Sequence, residues 1–164
     1  MKIGILADTH DNIHAVKTAV SYFNTQDLEY VIHAGDYVAP FSLKELMKVS
    51  AKFLGVFGNN DGDRMGLYKI CKNLHEPPYE LILGGKHIMI THMLESLPKR
   101  SEVNTDVVIY AHTHIPEIKL GVPMCINPGE CGGWLSGRNT VAVLDLETFQ
   151  ADIITLSARF PDKG

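Results

Sequence analysis

The chain opens Met1-Lys2-Ile3-Gly4-Ile5-Leu6-Ala7-Asp8-Thr9-His10-Asp11-Asn12. Apolar and small residues give way abruptly to a polar loop, as a buried strand does when it delivers side chains to the end of a sheet. Ala15, Val16, Ala19, Val20 and Phe23 follow at helical spacing, so an amphipathic helix covers about 12–25, capped by Asp11 or Asn12. The same cadence then repeats. Residues 30–34 run into Gly35-Asp36, a helix is marked by Leu43, Leu46 and Met47, and residues 53–57 run into Gly58-Asn59-Asn60-Asp61. This alternation predicts parallel strands joined by right-handed crossovers. It also gathers the polar loops at the carboxyl ends of the strands, where open α/β sheets take ligands.

The second half changes character at Glu76-Pro77-Pro78. Residues 79–83 and 86–91 flank Gly84-Gly85, a hairpin signal. A short helix is expected over about 95–103. Strands are expected at 107–111, 116–120, 122–126, 140–145 and 151–156, with turns at Gly121 and near Thr148. Two mixed sheets facing each other, with helices outside, use all of these apolar faces. No linker or repeat interrupts the 164 residues, so 1–164 read as a single domain.

A formal net charge of -4 gives no broad hold on DNA or RNA, so long nucleic acid is not an expected partner. No apolar run is long enough for a bilayer, and the opening stretch is too short for a signal peptide, so the expected location is the cytoplasm, away from any membrane. Cys71, Cys125 and Cys131 lack metal or redox spacing and read as reduced thiols. A homo-oligomer is compatible with the sequence, which shows no interface.

Five loops carry the chemistry: Asp8-Thr9-His10, Gly35-Asp36, Gly58-Asn59-Asn60-Asp61, Thr91-His92 and Ala111-His112-Thr113-His114. Each follows a strand-like run. Singly they are ordinary turn and cap sequences; as an ordered set spread over most of the chain they are not. In extended backbone, residues i and i+2 point the same way, so Asp8 with His10, and His112 with His114, can each present two ligands to one small volume. Asp36 can bridge two ions, Asn59 offers an amide oxygen, and His92 adds an imidazole. This donor set suits borderline-hard divalent metals such as manganese, iron or zinc.

The ordered motifs resemble the calcineurin-like metallophosphoesterase superfamily. The segment Ile126-Asn127-Pro128-Gly129-Glu130 and the short chain resemble its small prokaryotic phosphodiesterase branch. The resemblance extends from Met1 to about Leu156. It implies an α/β fold, a four-layer αββα sandwich with two mixed β-sheets and the metals at one edge. It implies one metal on Asp8, His10, Asp36 and His114, and another on Asp36, Asn59, His92 and His112, with Asp36 bridging. The cofactors would be two divalent metal ions, manganese first, with nickel, iron or zinc as alternatives. The activity implied is attack on a small phosphate ester by metal-activated hydroxide. Two dications against two carboxylates and a hydroxide leave one net positive charge, which a monoanionic phosphodiester neutralises.

Two features depart from the superfamily pattern. Many relatives carry His where this chain has Asn60, which can contact phosphate or leaving group but cannot deliver a proton. Ala111 and Met93 stand where Gly is frequent. Gly129 is a candidate to offer its N–H to phosphate, or else part of a plain Asn-Pro-Gly turn. Arg64 and Arg138 are candidate phosphate contacts or solvated surface residues. Asp61 is a candidate to orient a loop. Trp134 reads as a lid, an interface residue or ordinary packing, and His33 as a satisfied core histidine. His14, His75 and His87 carry no assignment. Other activities on the same fold are a non-catalytic protein-interaction scaffold, a phosphomonoesterase and a nuclease.

Overall fold

In the computed structural model, which describes residues 1–97 and 104–156, the opening apolar run is strand β1 (Lys2–Leu6). Helix α1 (Ile13–Asn24) follows, with the Asn12 side chain accepting the Ala15 N–H at its first turn. Strand β2 (Tyr30–His33), helix α2 (Pro40–Leu46) and strand β3 (Lys52–Val56) continue the alternation. Two elements had no apolar signature. Helix α3 (Arg64–Ile70) is capped by Asp63 and buries only Leu67, and β4 (Leu74–His75) is two residues long.

The second half supplies β5 (Tyr79–Leu83), β6 (Lys86–Ile90), β7 (Val107–Ile109), β8 (Glu117–Lys119), β9 (Met124–Asn127), β10 (Asn139–Asp145) and β11 (Gln150–Leu156). Between β5 and β6, Gly84 and Gly85 both take left-handed φ, +56° and +75°, the conformation a two-residue hairpin turn requires.

The strands form two mixed sheets. One has the order β11-β10-β1-β2-β3-β4, the other β5-β6-β7-β9-β8. In the first, β1 to β4 run parallel and β10 is antiparallel to β1; in the second, β6, β7 and β9 run parallel. Strand alternation decides which side chains meet where. Ile3, Ile5, Ile32, Leu54 and Val56 face Ile88, Ile90, Val107, Ile109 and Ile126 across the sheet–sheet core. The other face of the six-stranded sheet, with Leu6, Val31, Phe53 and Val141, packs on Val16, Ala19, Phe23, Leu43, Leu46 and Leu67 from the helices. Gly4 is small for a reason: a Cβ there would lie 2.8 Å from the Phe23 ring.

The outer face of the five-stranded sheet presents Met89, Val108, Tyr110 and Cys125, against which Leu97 packs. The helix expected over 95–103 begins as a single 3-10 turn at Leu94–Ser96, and its remainder, 98–103, lies outside the described residues. No described helix is long and apolar enough to cross a membrane.

Candidate metal centre

β1, β2, β3, β6 and β7 all end at one edge of the molecule, and each hands over one of the five polar loops. The loops are tied to one another by backbone bonds. Asp8 N–H donates to Gly35 O (3.0 Å), His10 N–H to Asp36 O (3.2 Å), Asp11 N–H to Tyr37 O (3.2 Å) and Ala111 N–H to His92 O (3.0 Å). Asp61 staples two loops: its carboxylate accepts from Gly58 N (2.7 Å), Val38 N (2.8 Å) and Asp36 N (3.0 Å). Its expected role as an orienting residue has that geometry.

The donor atoms converge. Asp8 Oδ1 lies 3.7 Å from His10 Nε2, 3.6 Å from His114 Nε2 and 4.0 Å from His92 Nε2. Asp36 Oδ2 lies 3.3 Å from His92 Nε2 and 3.6 Å from His10 Nε2. Two overlapping groups of potential ligands result, Asp8-His10-His114 and Asp8-Asp36-His92. The His112 ring stands edge-on to His92 with centroids 5.2 Å apart. Asn59 is exposed in the loop whose next residue, Asn60, closes on Asp36.

The backbone here is not extended, which corrects the i, i+2 reasoning from the sequence. Asp8, His10, Asp36, His112 and His114 all take positive φ, between 40° and 72°. Such conformations are costly for residues with a Cβ and persist where surrounding contacts impose them. The two His-containing pairs therefore behave differently. Asp8 and His10 converge, whereas His114 stacks on His10 (centroids 5.2 Å) and His112 turns toward His92.

Electrostatics sets two unlike carboxylates side by side. Burial pushes Asp8 up to about 6, partly offset by His92 and His114. Burial also acts on Asp36, but the His92 contact and two hydrogen bonds from Asn60, backbone N–H to Oδ1 (2.8 Å) and Nδ2 to Oδ2 (2.7 Å), hold it well below the usual range. Desolvation lowers His92, yet the Asp36 and Asp8 charges prevail and leave it raised. His92 Nδ1 meets the Ala34 carbonyl at 2.9 Å, which requires a proton on that nitrogen and turns Nε2 to the carboxylates.

Asp8 Oδ1, His10 Nε2 and His92 Nε2 are buried without a hydrogen-bond partner. Three such atoms facing one small space would be costly if left so. A divalent cation satisfies all of them, and the carboxylate–imidazole set fits that ion's chemistry.

Other sequence candidates fall elsewhere. Gly129 is a correction: its N–H donates to Asn127 Oδ1 (2.9 Å) within the turn, so it is not free for phosphate. Arg64 pairs with Glu76 (2.6 Å) and lies over Phe57. Arg138 is exposed. His33 is a buried, satisfied histidine: Nδ1 accepts from Gly35 N (3.1 Å) and Nε2 meets Thr9 Oγ1 (3.2 Å).

Glu130, which closes the Ile126–Glu130 segment, received no role from the sequence. Fully buried, it accepts from Trp134 N (2.7 Å), Leu135 N (3.0 Å), Ser136 N (2.9 Å) and Ser136 Oγ (2.9 Å), and its Oε1 lies 3.3 Å from His114 Nδ1. A carboxylate amid Gly and Cys with no basic neighbour was the available signal.

Residues 1–149 match the model of the calcineurin-like phosphoesterase superfamily domain. A phosphodiesterase of Methanocaldococcus jannaschii is 37% identical over 158 residues, covering 90% of this chain and 94% of that protein. The structure of an archaeal phosphodiesterase superposes with a TM-score of 0.86 at 35% identity, over 95% of this chain and all of that one. A Vps29 mutant from Entamoeba histolytica superposes with a TM-score of 0.70 at 16% identity, over 96% of this chain and all of that one, a likeness of fold alone.

Proposed function

The chain belongs to the calcineurin-like phosphoesterase superfamily and is a metal-dependent phosphoric ester hydrolase; from that premise we propose that it cleaves small phosphodiesters at a dinuclear centre. The observation that carries this reading is the convergence of three buried, partnerless ligand atoms, Asp8 Oδ1, His10 Nε2 and His92 Nε2, on one space.

We assign Asp8, His10, Asp36 and His114 to one cation and Asp36, Asn59, His92 and His112 to the other. Asp36 Oδ2, within 3.6 Å of both His10 and His92, supports the bridging role. We propose manganese as the native ion. When bound, two such ions acidify water and neutralise charge on the phosphoryl oxygens. The protein's own residues supply the rest. The Ala34 carbonyl fixes the His92 tautomer. Asp61 holds the Asp36 and Asn59 loops in register. Asn60 gives one amide N–H to Asp36 Oδ2 and is exposed at the mouth, where its second amide N–H can hold a phosphoryl or leaving oxygen without protonating it. Esters whose leaving groups depart as stable anions should therefore react best.

The curated relative's name supports a diester, as does the charge balance. The acidic chain favours a small ester over long nucleic acid. A single domain over 1–164, supported by the core shared between the two sheets, and a cytoplasmic location are the accompanying proposals. The scaffold alternative is disfavoured by the presence of all seven proposed ligand residues.

A matrix of metals against aryl phosphodiester and monoester, with Asp36→Asn as control, tests the reading. Manganese should support diester turnover, chelation should abolish it, and the variant should lose at least about 100-fold, the upper end of what outer ligand-shell changes cost. A folded protein that binds no metal and turns over neither ester would establish the scaffold instead.

A further inference from the structure

Resting on the phosphoesterase reading, we propose that the exposed indole of Trp134 is a stacking platform for an aromatic group carried by the phosphate ester. The substrate class is thereby narrowed to esters bearing an aryl or nucleobase ring.

Trp134 is the chain's sole tryptophan and is 64% exposed, yet its position is fixed. The indole Nε1–H donates to His10 O at 3.0 Å. The same His10 places Nε2 3.7 Å from Asp8 Oδ1 and 3.6 Å from Asp36 Oδ2. One residue thus links the ring to the metal centre, so a group lying on the indole is within a short reach of a phosphorus bound there.

The loop that carries the ring is built rigidly. Trp134, Leu135 and Ser136 direct their N–H groups at the Glu130 carboxylate. Gly132 N–H donates to Asp8 O (2.9 Å), and Asn12 Nδ2 donates to Gly132 O (2.7 Å). Gly132 itself sits so close that a Cβ would lie 2.8 Å from Thr9 O. Burying a carboxylate is costly unless it is fully hydrogen-bonded, and here the bonds go to a loop that presents two exposed apolar side chains, Trp134 and Leu135 (79% exposed). A ring already immobilised loses little freedom when a planar ligand covers it. An indole face rewards aromatic stacking over an alkyl chain. The ligand set recognises phosphate and nothing beyond it, so discrimination among ester groups falls to the rim.

The test uses manganese-loaded protein and three non-diester probes: methylphosphonate, phenylphosphonate and adenosine 5′-monophosphate. Binding is read by calorimetry and by quenching of the single tryptophan. At least one ring-bearing probe should bind about tenfold tighter than methylphosphonate, as expected for one aromatic stack, and should quench Trp134. The stronger of the two distinguishes an aryl from a nucleotide source. Trp134→Ala should reduce the ratio to about twofold or less, and Trp134→Phe, which keeps a ring but loses the bond to His10, should retain most of it. Manganese affinity and circular dichroism of the variants show that the centre and fold persist. Equal binding of the three probes, or a ratio that survives Trp134→Ala, overturns the platform while leaving the hydrolase reading intact. Failure of all three to bind, with no diester turnover, overturns both.

Discussion

Replacing Asp8 by Asn should stabilise the metal-free protein while abolishing its response to metal. Asp8 is wholly buried, and burial is the main reason its carboxyl rises from 3.8 to about 6. A rise of about two pKa units, at roughly 1.36 kcal/mol each, means that ionised Asp8 costs the metal-free fold on the order of 3 kcal/mol. The sign follows from proton uptake. Between about pH 4 and pH 6 the folded state holds a proton that the unfolded chain has lost. The penalty is therefore complete above the folded value near 6, shrinks as pH falls, and vanishes below the unfolded value near 3.8. Asparagine removes the charge and keeps an oxygen for the His112 N–H that Asp8 Oδ2 receives at 3.3 Å. Urea unfolding of both proteins in chelator should show the variant more stable by about 2–3 kcal/mol at about pH 7.5 and indistinguishable at about pH 4. Manganese at one hundred times its dissociation constant should then stabilise the native protein by about 2.7 kcal/mol and leave the variant unmoved. A variant less stable than the native protein in chelator at the higher pH would refute the account of Asp8 as a buried charge awaiting a cation.

Asn60→His should raise the rate on alkyl relative to aryl diesters by about tenfold or more, since a positioned general acid contributes at least that; no relative gain would show that leaving-group protonation is not the deficit. Gly58→Ala would drive a Cβ into Asp36 Oδ1. Calorimetry should then give a manganese affinity lower by about 10- to 100-fold with the fold intact, and unchanged affinity would count against the position given to Asp36. The Cys131 thiol is fully buried and pushed up to about 12 by that burial, with the Asp8 and Glu130 charges adding to it. It should resist a thiol-reactive probe at about pH 8 until the protein is unfolded, and rapid labelling of the native protein at Cys131, located by peptide mapping, would contradict its burial.

The element order and the five loops were legible because their signals are local. A strand reads as an apolar run, α1 as a 3.6-residue period, and the β5–β6 turn as Gly84-Gly85, each complete within a few residues. Where a segment lacks such a period, as in α3 with its one buried residue Leu67, the sequence is silent. Donor chemistry was equally plain, since Asp, His and Asn announce what they can ligate.

What the chain could not announce is direction. The sign of φ at Asp8, His10, Asp36, His112 and His114 is imposed by bonds such as Asp8 N–H to Gly35 O and Ala111 N–H to His92 O, between segments remote in sequence. The same holds for the separation of His112 from His114, the enclosure of the Gly129 N–H by Asn127, and the Glu130 carboxylate that carries the Trp134 loop. Residue type fixes which atoms can bind a cation or phosphate. Whether those atoms meet depends on contacts that exist only once both sheets have closed on each other.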